Sequence, residues 1–178
     1  MKKRSLALSM VYRLIEPGPV VLVTTADGTR LNVMAMSWHT MMDFEPPLIG
    51  CVISDRSFTF DILRRHRECV INIPTVELAR KVVRCGNTSG RTIDKFKVFG
   101  LTPIPATYVH APLIDECYAN LECKLVDSRL VAKYDFFVLE VLKAWIDRSR
   151  KHPETIHHLG MGSFMVPGRT FKLPSRMK

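Results

Sequence analysis

The sequence has no long hydrophobic run. Its apolar stretches are short and are interrupted by Asp, Thr or Pro, whereas a membrane-spanning helix needs about 20 consecutive apolar residues. The basic start, Met1 to Arg4, is typical of a signal peptide, but the apolar stretch that follows is broken by Ser9 and ended by Arg13. We therefore expect a cytoplasmic protein with no membrane partner.

Paired cysteines are also missing. The five cysteines, at positions 51, 69, 85, 117 and 123, are an odd number and include no Cys-x-x-Cys spacing. His157 and His158 are adjacent, so in an extended segment they would point to opposite sides. These spacings favour reduced, mostly buried thiols and predict no metal site.

Aromatic residues make up only 8% of the chain, and 17 acidic residues are outnumbered by 26 Lys and Arg, which gives a net charge of +9. The surplus favours a solvated basic surface, with an anionic partner as the alternative. A phosphate-bearing small ligand and nucleic acid both fit that alternative. Nucleic acid fits less well, because single strands are bound on aromatic platforms that this chain has little material to build.

The chain does have enough apolar sequence, 47% of its residues, for one well-buried core. Because 178 residues are too few for two ordinary domains, we predict a single domain over residues 1–178. β-Branched and alternating patterns predict strands at residues 20–25, 31–38, 48–54, 69–73, 118–126 and 136–146. Helical spacing predicts helices at 57–67 and at 75–85, the second ended by Gly86, and a helical turn at 94–99 before Gly100.

The order of these elements indicates how they pair. Strands that follow one another without an intervening helix favour antiparallel pairing, and Asp27-Gly28 is a hairpin signal between the first two. Closing such a sheet hides its edges. The predicted fold class is therefore mainly β, a barrel of antiparallel strands with peripheral helices.

The second predicted strand mixes small and polar residues with apolar ones. A plain edge strand would explain this mixture. The alternative is a platform for a planar ligand, on which the short side chains let main-chain N–H and C=O groups reach the edge of a heterocycle. The residues of this segment are Asn32, Val33, Met34, Ala35, Met36, Ser37 and Trp38.

Polar residues also gather where the third strand passes into the first helix. Free N–H groups, the positive end of the helix dipole, hydroxyl side chains and a guanidinium together favour an anion site. An ordinary N-cap by Asp55 or Ser57 is an equally good explanation. The residues involved are Ser54, Asp55, Arg56, Ser57 and Thr59.

A third polar segment, residues 89–96, places Arg91, Asp94 and Lys95 around a turn. A surface loop is the simpler interpretation. Its cations could equally complete a phosphate or flavin site from the opposite side.

In this order and at these separations, the segments resemble the flavin reductase-like family of FMN-binding split barrels, and within it the flavoredoxin branch. The resemblance covers nearly the whole chain: PVVLVTT (19–25), NVMAMSW (32–38), PPLIG (46–50), CGNTSGR (85–91), DKF (94–96), LEC (121–123) and HHLG (157–160). It implies a homodimer of six-stranded antiparallel Greek-key barrels that bind FMN non-covalently near the subunit interface.

The resemblance also implies roles for individual residues. The isoalloxazine ring would lie against residues 32–38 and 51–54, which include Val52 and Ser54. The phosphate would be held by Arg56, Ser57 and Thr59. No side chain would be catalytic, because the flavin carries the chemistry. Further contacts would come from Ser89, Arg91, Asp94, Lys95 and Phe96, which close over the cofactor, and from Phe164, in the same or the partner subunit.

One departure from the family pattern bears on the electron donor. Members that take hydride from NAD(P)H often carry Gly-Asp-His before the penultimate barrel strand, whereas this chain has Tyr134-Asp135-Phe136 there. We therefore expect slow direct oxidation of NAD(P)H. The expected function is an FMN-binding oxidoreductase that passes electrons from NAD(P)H or an unidentified redox protein to an acceptor. The alternatives are a non-catalytic FMN carrier and, less favoured, a basic nucleic-acid-binding barrel.

Overall fold

The computed structural model describes residues 18–171 and 173–174. Its helices are α1 (Phe58–His66), α2 (Ala79–Asn87), α3 (Lys95–Phe99) and α4 (Val131–Tyr134), with a 3-10 turn at Val76–Leu78. Its strands are β1 (Val21–Asp27), β2 (Arg30–Met36), β3 (His39–Phe44), β4 (Pro47–Val52), β5 (Glu68–Ile73), β6 (Pro103–Ile104), β7 (Leu113–Ile114), β8 (Ala119–Asp127), β9 (Phe136–Ile146), β10 (His157–Gly160) and β11 (Ser163–Met165).

Seven of the described strands form one antiparallel sheet in the order β2-β1-β5-β8-β9-β4-β3. β2 and β3 lie at opposite ends of this order, yet only Ser37 and Trp38 separate them along the chain. The sheet must therefore curl until its two edges approach each other. At this junction the Val52 N–H donates to the Trp38 carbonyl at 3.0 Å. The result is a mainly β barrel that is open along one seam.

The β1–β2 hairpin forms where the sequence predicts it, because Gly28 adopts the φ of +59° that its tight turn requires. β3 was not predicted, so the expected count of six barrel strands is one fewer than the described sheet contains. Every residue of β3 after His39 is exposed. An edge strand of this kind lacks the alternating pattern by which a half-buried strand is recognised.

β1 buries both of its faces, which explains why its sequence is continuously apolar. Val21 and Val23 belong to the core inside the barrel. In the same core Phe60 and Phe137 meet edge to face, with ring centroids 5.3 Å apart. Leu22 belongs to a second core on the other side of the sheet, which is completed by residues of α2 and α3. β1 therefore lies between the barrel interior and the helices that cover it.

Two helices begin and end at the residues that the sequence indicates. Ser57 is the N-cap of α1, and its hydroxyl accepts the Phe60 N–H at 3.1 Å. Asp94 is the N-cap of α3 and accepts the Lys97 N–H, and Gly100 ends this helix with a φ of +62°. The side chains that cap these helices are thereby fixed next to β2.

The prediction that Gly86 ends the second helix is wrong. α2 continues through Gly86 to Asn87, and the Thr88 hydroxyl donates to the Arg84 carbonyl at 2.8 Å in its last turn. A Cβ at Gly86 would lie 3.5 Å from the Cβ of Ala35, which is an ordinary contact distance. α2 consequently packs directly on β2.

All five cysteines are buried and unpaired, as predicted. Burial raises the pKa of the Cys51 thiol to about 12 and that of the Cys85 thiol to about 11. No group of three or more metal-binding side chains occurs in the part of the chain that the structure describes. Within the same part, no helix is long and apolar enough to cross a membrane.

Candidate functional site

A cleft of about 290 Å³ opens at the N-terminal end of α1, between β2 and the segment that follows α2. The last turn of α2 and the loop at residues 88–90 form much of its wall. The fold thus brings together three segments that are far apart in sequence. Eight of the predicted site residues line this cleft: Asn32, Met34, Ala35, Arg56, Ser57, Thr59, Ser89 and Lys95.

The Thr59 hydroxyl lies at the bottom of this arrangement, with the residue only 1% exposed. Its Oγ1 accepts a hydrogen bond from the Asn32 amide nitrogen, Nδ2, at 2.9 Å. No described residue accepts the hydrogen that the Thr59 hydroxyl itself can donate. Because a buried donor without an acceptor is costly, this hydroxyl is suited to donate to a ligand in the cleft.

Ser54 and Ser57 both have local structural roles. The Ser54 hydroxyl accepts the Arg56 N–H at 3.3 Å, and the Ser57 hydroxyl caps α1, so the N-cap interpretation of Ser57 is confirmed. The cap uses only a lone pair, so the hydroxyl hydrogen of Ser57 can still be donated. The free N–H groups of the first turn of α1 and the helix dipole favour an anion at the same end of the cleft.

The cleft also contains a buried cation. Lys95 is only 4% exposed, and its ammonium group donates to the Cys85 carbonyl at 2.7 Å. Burial lowers the pKa of Lys95, and a smaller electrostatic effect of Cys85 opposes this. None of the ion pairs between described residues involves Lys95. Since buried lysines are rare without a paired anion, an anionic ligand would complete this environment.

Three residues that were expected to close over the ligand lie elsewhere. Arg91 forms an ion pair with Asp61 at 2.5 Å, and its guanidinium carbon lies 5.0 Å from the centroid of the Phe58 ring. Asp94 caps α3, and Phe96 packs in the second core. These three residues line a separate depression, together with Arg30 and Leu31 of β2. Of the five predicted closing residues, only Ser89 and Lys95 line the cleft itself.

Arg30, which the sequence did not single out, holds this loop in place. Its guanidinium donates to the carbonyls of Gly90 and Arg91, both at 2.7 Å, and lies 4.6 Å from the centroid of the Phe58 ring. A Cβ on Gly90 would lie 2.0 Å from the side-chain oxygen of Asn32. Only glycine therefore allows the loop to approach β2 this closely.

A second cavity, of about 420 Å³, adjoins the first, and both are lined by Ala35, Gly86 and Asn87. Its wall also includes Met36, Ser37 and Phe164 of the predicted set. Because β2 is an edge strand of the described sheet, its outer row of main-chain N–H and C=O groups has no strand partner there. The arrangement suits a planar ligand that lies along β2.

His158 also lines this second cavity, and its ring centroid lies 5.0 Å from that of Phe164. The sequence did not single out His158, Gly86 or Asn87 as site residues. Their positions depend on how β10 and the end of α2 pack against β2, which no local pattern reveals.

The remaining predicted residues line neither cavity. Val33 is fully buried in the second core, and Trp38 is 53% exposed at the seam of the barrel. Val52 ends β4 and pairs with Phe136. Just before β9, the Asp135 carbonyl accepts the Ile53 N–H at 3.0 Å, which ties this turn to the segment between β4 and α1.

Comparisons with known proteins agree with this architecture. The family model described as flavin reductase like domain matches residues 12–162. The uncharacterized protein YddH of Escherichia coli K12 is 32% identical over 172 residues, which cover 88% of this chain and 90% of YddH.

Two solved structures are also similar. An FMN-binding domain of a flavin reductases-like enzyme from Shewanella baltica aligns with a TM-score of 0.83 and 28% identity, over 96% of this chain and 97% of that one. Flavoredoxin of Desulfovibrio vulgaris (Miyazaki F) aligns with a TM-score of 0.86 and 26% identity, over 97% of both chains. These similarities confirm the split-barrel fold that the sequence predicts.

Proposed function

Because the chain belongs to the flavin reductase-like domain family, we propose that it is an FMN-binding oxidoreductase that passes electrons through a non-covalently bound FMN. The donor is either NAD(P)H or a redox protein. Similar proteins support FMN as the cofactor, since one similar structure is an FMN-binding domain and another is a flavoredoxin.

The observation that carries this proposal is the pair of buried hydrogen-bond donors, Thr59 and Lys95, in the cleft at the N-terminal end of α1. Thr59 and Lys95 are 1% and 4% exposed, and each can donate a hydrogen that no described residue accepts. A terminal phosphate with two negative charges has the acceptors and the charge that such a site needs. The Ser57 hydroxyl and the first-turn N–H groups of α1 add donors on the same side.

The adjoining cavity supports a site for the ring system next to the proposed phosphate site. The residues that would hold the isoalloxazine are Ala35–Ser37 on the outer edge of β2 and Phe164, which line this cavity. When bound, FMN would supply the redox chemistry. The chain would bind the phosphate, orient the ring and exclude water, without a side chain acting as acid or base.

The residues just before and at the start of β9 bear on the electron donor. Asp135 hydrogen-bonds to the segment between β4 and α1 through its carbonyl, and Phe136 begins β9. Neither residue can replace the imidazole that related reductases often have in this region. We therefore expect slow direct oxidation of NAD(P)H, which favours a redox protein as the electron donor.

We also propose that the protein is a cytoplasmic homodimer. β3 carries an exposed apolar surface that consists of Met41, Met42 and Phe44, which are 55%, 49% and 66% exposed. Exposed apolar side chains on an edge strand are typical of a protein interface. A second copy of the chain would cover this β3 surface.

Two measurements test the proposal. The purified protein should be yellow and release FMN, rather than FAD, on denaturation. Anaerobic NADPH should bleach it more slowly than the enzyme median of about 10 per second, whereas a reduced redox protein or dithionite should bleach it fully. Reversible reoxidation by an added acceptor would separate an oxidoreductase from a passive carrier. A colourless protein that does not bind added FMN at micromolar concentration would contradict the proposal.

A further inference from the structure

We infer that Asn32 is a positioning residue: its side-chain amide fixes the direction in which Thr59 donates, and thereby directs the Thr59 hydroxyl to the phosphate end of the ligand. This inference rests on the proposed function, because it assumes that the cleft at the end of α1 binds a phosphate. It assigns Asn32 a role different from the direct contact with the ring that the sequence suggests.

The hydrogen bonds at Asn32 determine this direction. The residue is 2% exposed, and its amide nitrogen donates to Thr59 Oγ1 at 2.9 Å and to Thr25 Oγ1 at 3.3 Å. An amide NH₂ group can only donate. Both threonine oxygens must therefore act as acceptors towards Asn32, and neither hydroxyl hydrogen can point at that nitrogen.

This constraint has a consequence for the cleft. The hydroxyl hydrogen of Thr59 is turned away from Asn32, and Thr59 lines the cleft. The rotation of this donor is thus restricted before any ligand arrives, so binding has less of it to fix. Thr25 does not line the cleft, although it shares the same amide.

The other end of the Asn32 amide meets the loop that follows α2. The Asn32 oxygen lies 2.0 Å from where a Cβ of Gly90 would be, and Arg30 holds the Gly90 carbonyl at 2.7 Å. One buried amide therefore contacts α1 through Thr59 and the loop through Gly90. The three walls of the phosphate end of the cleft meet at this residue.

The test compares the affinities of apoprotein variants for FMN and for riboflavin, which has the same ring but no phosphate. Thr59→Val removes the donor and should weaken FMN binding by about 10- to 100-fold, as expected for a hydrogen bond to a charged acceptor. Asn32→Ala leaves the hydroxyl free to rotate and should weaken FMN binding by several-fold. Riboflavin affinity should change little in both variants.

Asn32→Asp is the most specific variant. A carboxylate of the same shape can only accept, so Thr59 would donate to residue 32 and withdraw its hydrogen from the ligand. The new negative charge would also repel the phosphate. We expect at least a 100-fold loss of FMN affinity, larger than that of Asn32→Ala. Thr25→Val is the matched control, and it should leave the affinity for FMN unchanged.

A double-mutant cycle separates positioning from a direct contact. In the Thr59→Val background, Asn32→Ala should cause a clearly smaller loss of FMN affinity than in the wild type, because no donor remains to be oriented and only the contact with the loop is lost. If the two losses are additive, or if riboflavin affinity falls as much as FMN affinity, the inference is overturned. If Thr59→Val itself leaves FMN affinity unchanged, the proposed phosphate site is wrong as well. Inorganic phosphate, used as a competitor of FMN, gives the same comparison for variants that bind FMN too weakly to measure.

Discussion

Replacement of Lys95 by methionine tests the charge of the candidate site. Methionine has a similar length and keeps the packing of a residue that is only 4% exposed, but it removes the ammonium group. If that group binds the phosphate, the variant loses a hydrogen bond between two charged groups, worth about 1.5–3 kcal/mol. The dissociation constant of FMN should then rise about 10- to 100-fold, while that of riboflavin should change little.

The same variant should affect the stability of the apoprotein in a different way. Burial lowers the pKa of Lys95 from its usual 10.5, so folding disfavours the charged form when no anion is present. Removing the charge relieves this cost and offsets the loss of the hydrogen bond to Cys85. We therefore expect the Tm of the apoprotein, measured by calorimetry, to be unchanged or higher. Binding would then be weaker in a protein that is at least as stable.

The pH dependence gives a second readout with a defined sign. Because the phosphate favours the charged ammonium, FMN affinity of the wild type should be full below the lowered pKa of Lys95 and should fall as the pH rises through it. The stability of the apoprotein should rise over the same interval, up to the usual value of 10.5, since there the unfolded chain holds the proton that the folded chain has lost. Both trends should be absent in Lys95→Met.

Lys97→Met is the control, because Lys97 lies on the same helix, is 86% exposed and pairs with Asp94 at 3.5 Å. It should not alter FMN affinity. Equal losses of FMN and riboflavin affinity in Lys95→Met, together with a lower Tm of the apoprotein, would show that Lys95 is structural. Unchanged FMN affinity would place the phosphate elsewhere.

Two other predictions concern stability and assembly. Glu122 is fully buried and accepts N–H groups from Thr107, Tyr108 and Trp145. Burial raises the pKa of Glu122, but these hydrogen bonds lower it below the usual value overall. The Glu122 carboxylate should therefore stabilise the fold above pH ~4.5, and this contribution should be lost on acidification. Glu122→Gln should cost about 3 kcal/mol, or about 6–12 °C in Tm by calorimetry, and an unchanged Tm would contradict this. Phe44→Glu should give a sedimenting species of one 20.3 kDa chain; a persistent dimer would move the interface away from β3.

The sequence alone was sufficient for features that depend on neighbouring residues. The β1–β2 turn needs a residue that accepts positive φ, and Gly28 supplies it. Ser57, one of the two N-caps that the sequence suggests, bonds a main-chain N–H three residues ahead. Such contacts are local, so the residue pattern is enough to predict them. The resemblance to the family extended this to the barrel, and to the region of the chain in which the cofactor site is proposed.

Other features depend on how distant segments pack. The sequence grouped Arg91 with Lys95 as cations on one loop, but the structure separates them: Arg91 pairs with Asp61, whereas Lys95 is buried beside Cys85. β3 was missed because it is an exposed edge, and only the antiparallel pairing with β4 identifies it as a strand. Burial and pairing are properties of the assembled sheet, so no window of sequence contains them.

Asn32 illustrates the same division. Its position on a strand is a property of its own segment, and the sequence predicts it. Its partners Thr59 and Gly90 come from α1 and from the loop after α2. Only the curling of the sheet and the packing of these elements against β2 bring the three residues into contact. The sequence therefore determines which groups the chain can offer to a ligand. The tertiary structure decides which of these groups come together and which pair with one another instead. The reason is that hydrogen bonds and ion pairs act over a few ångströms of space and not along the chain.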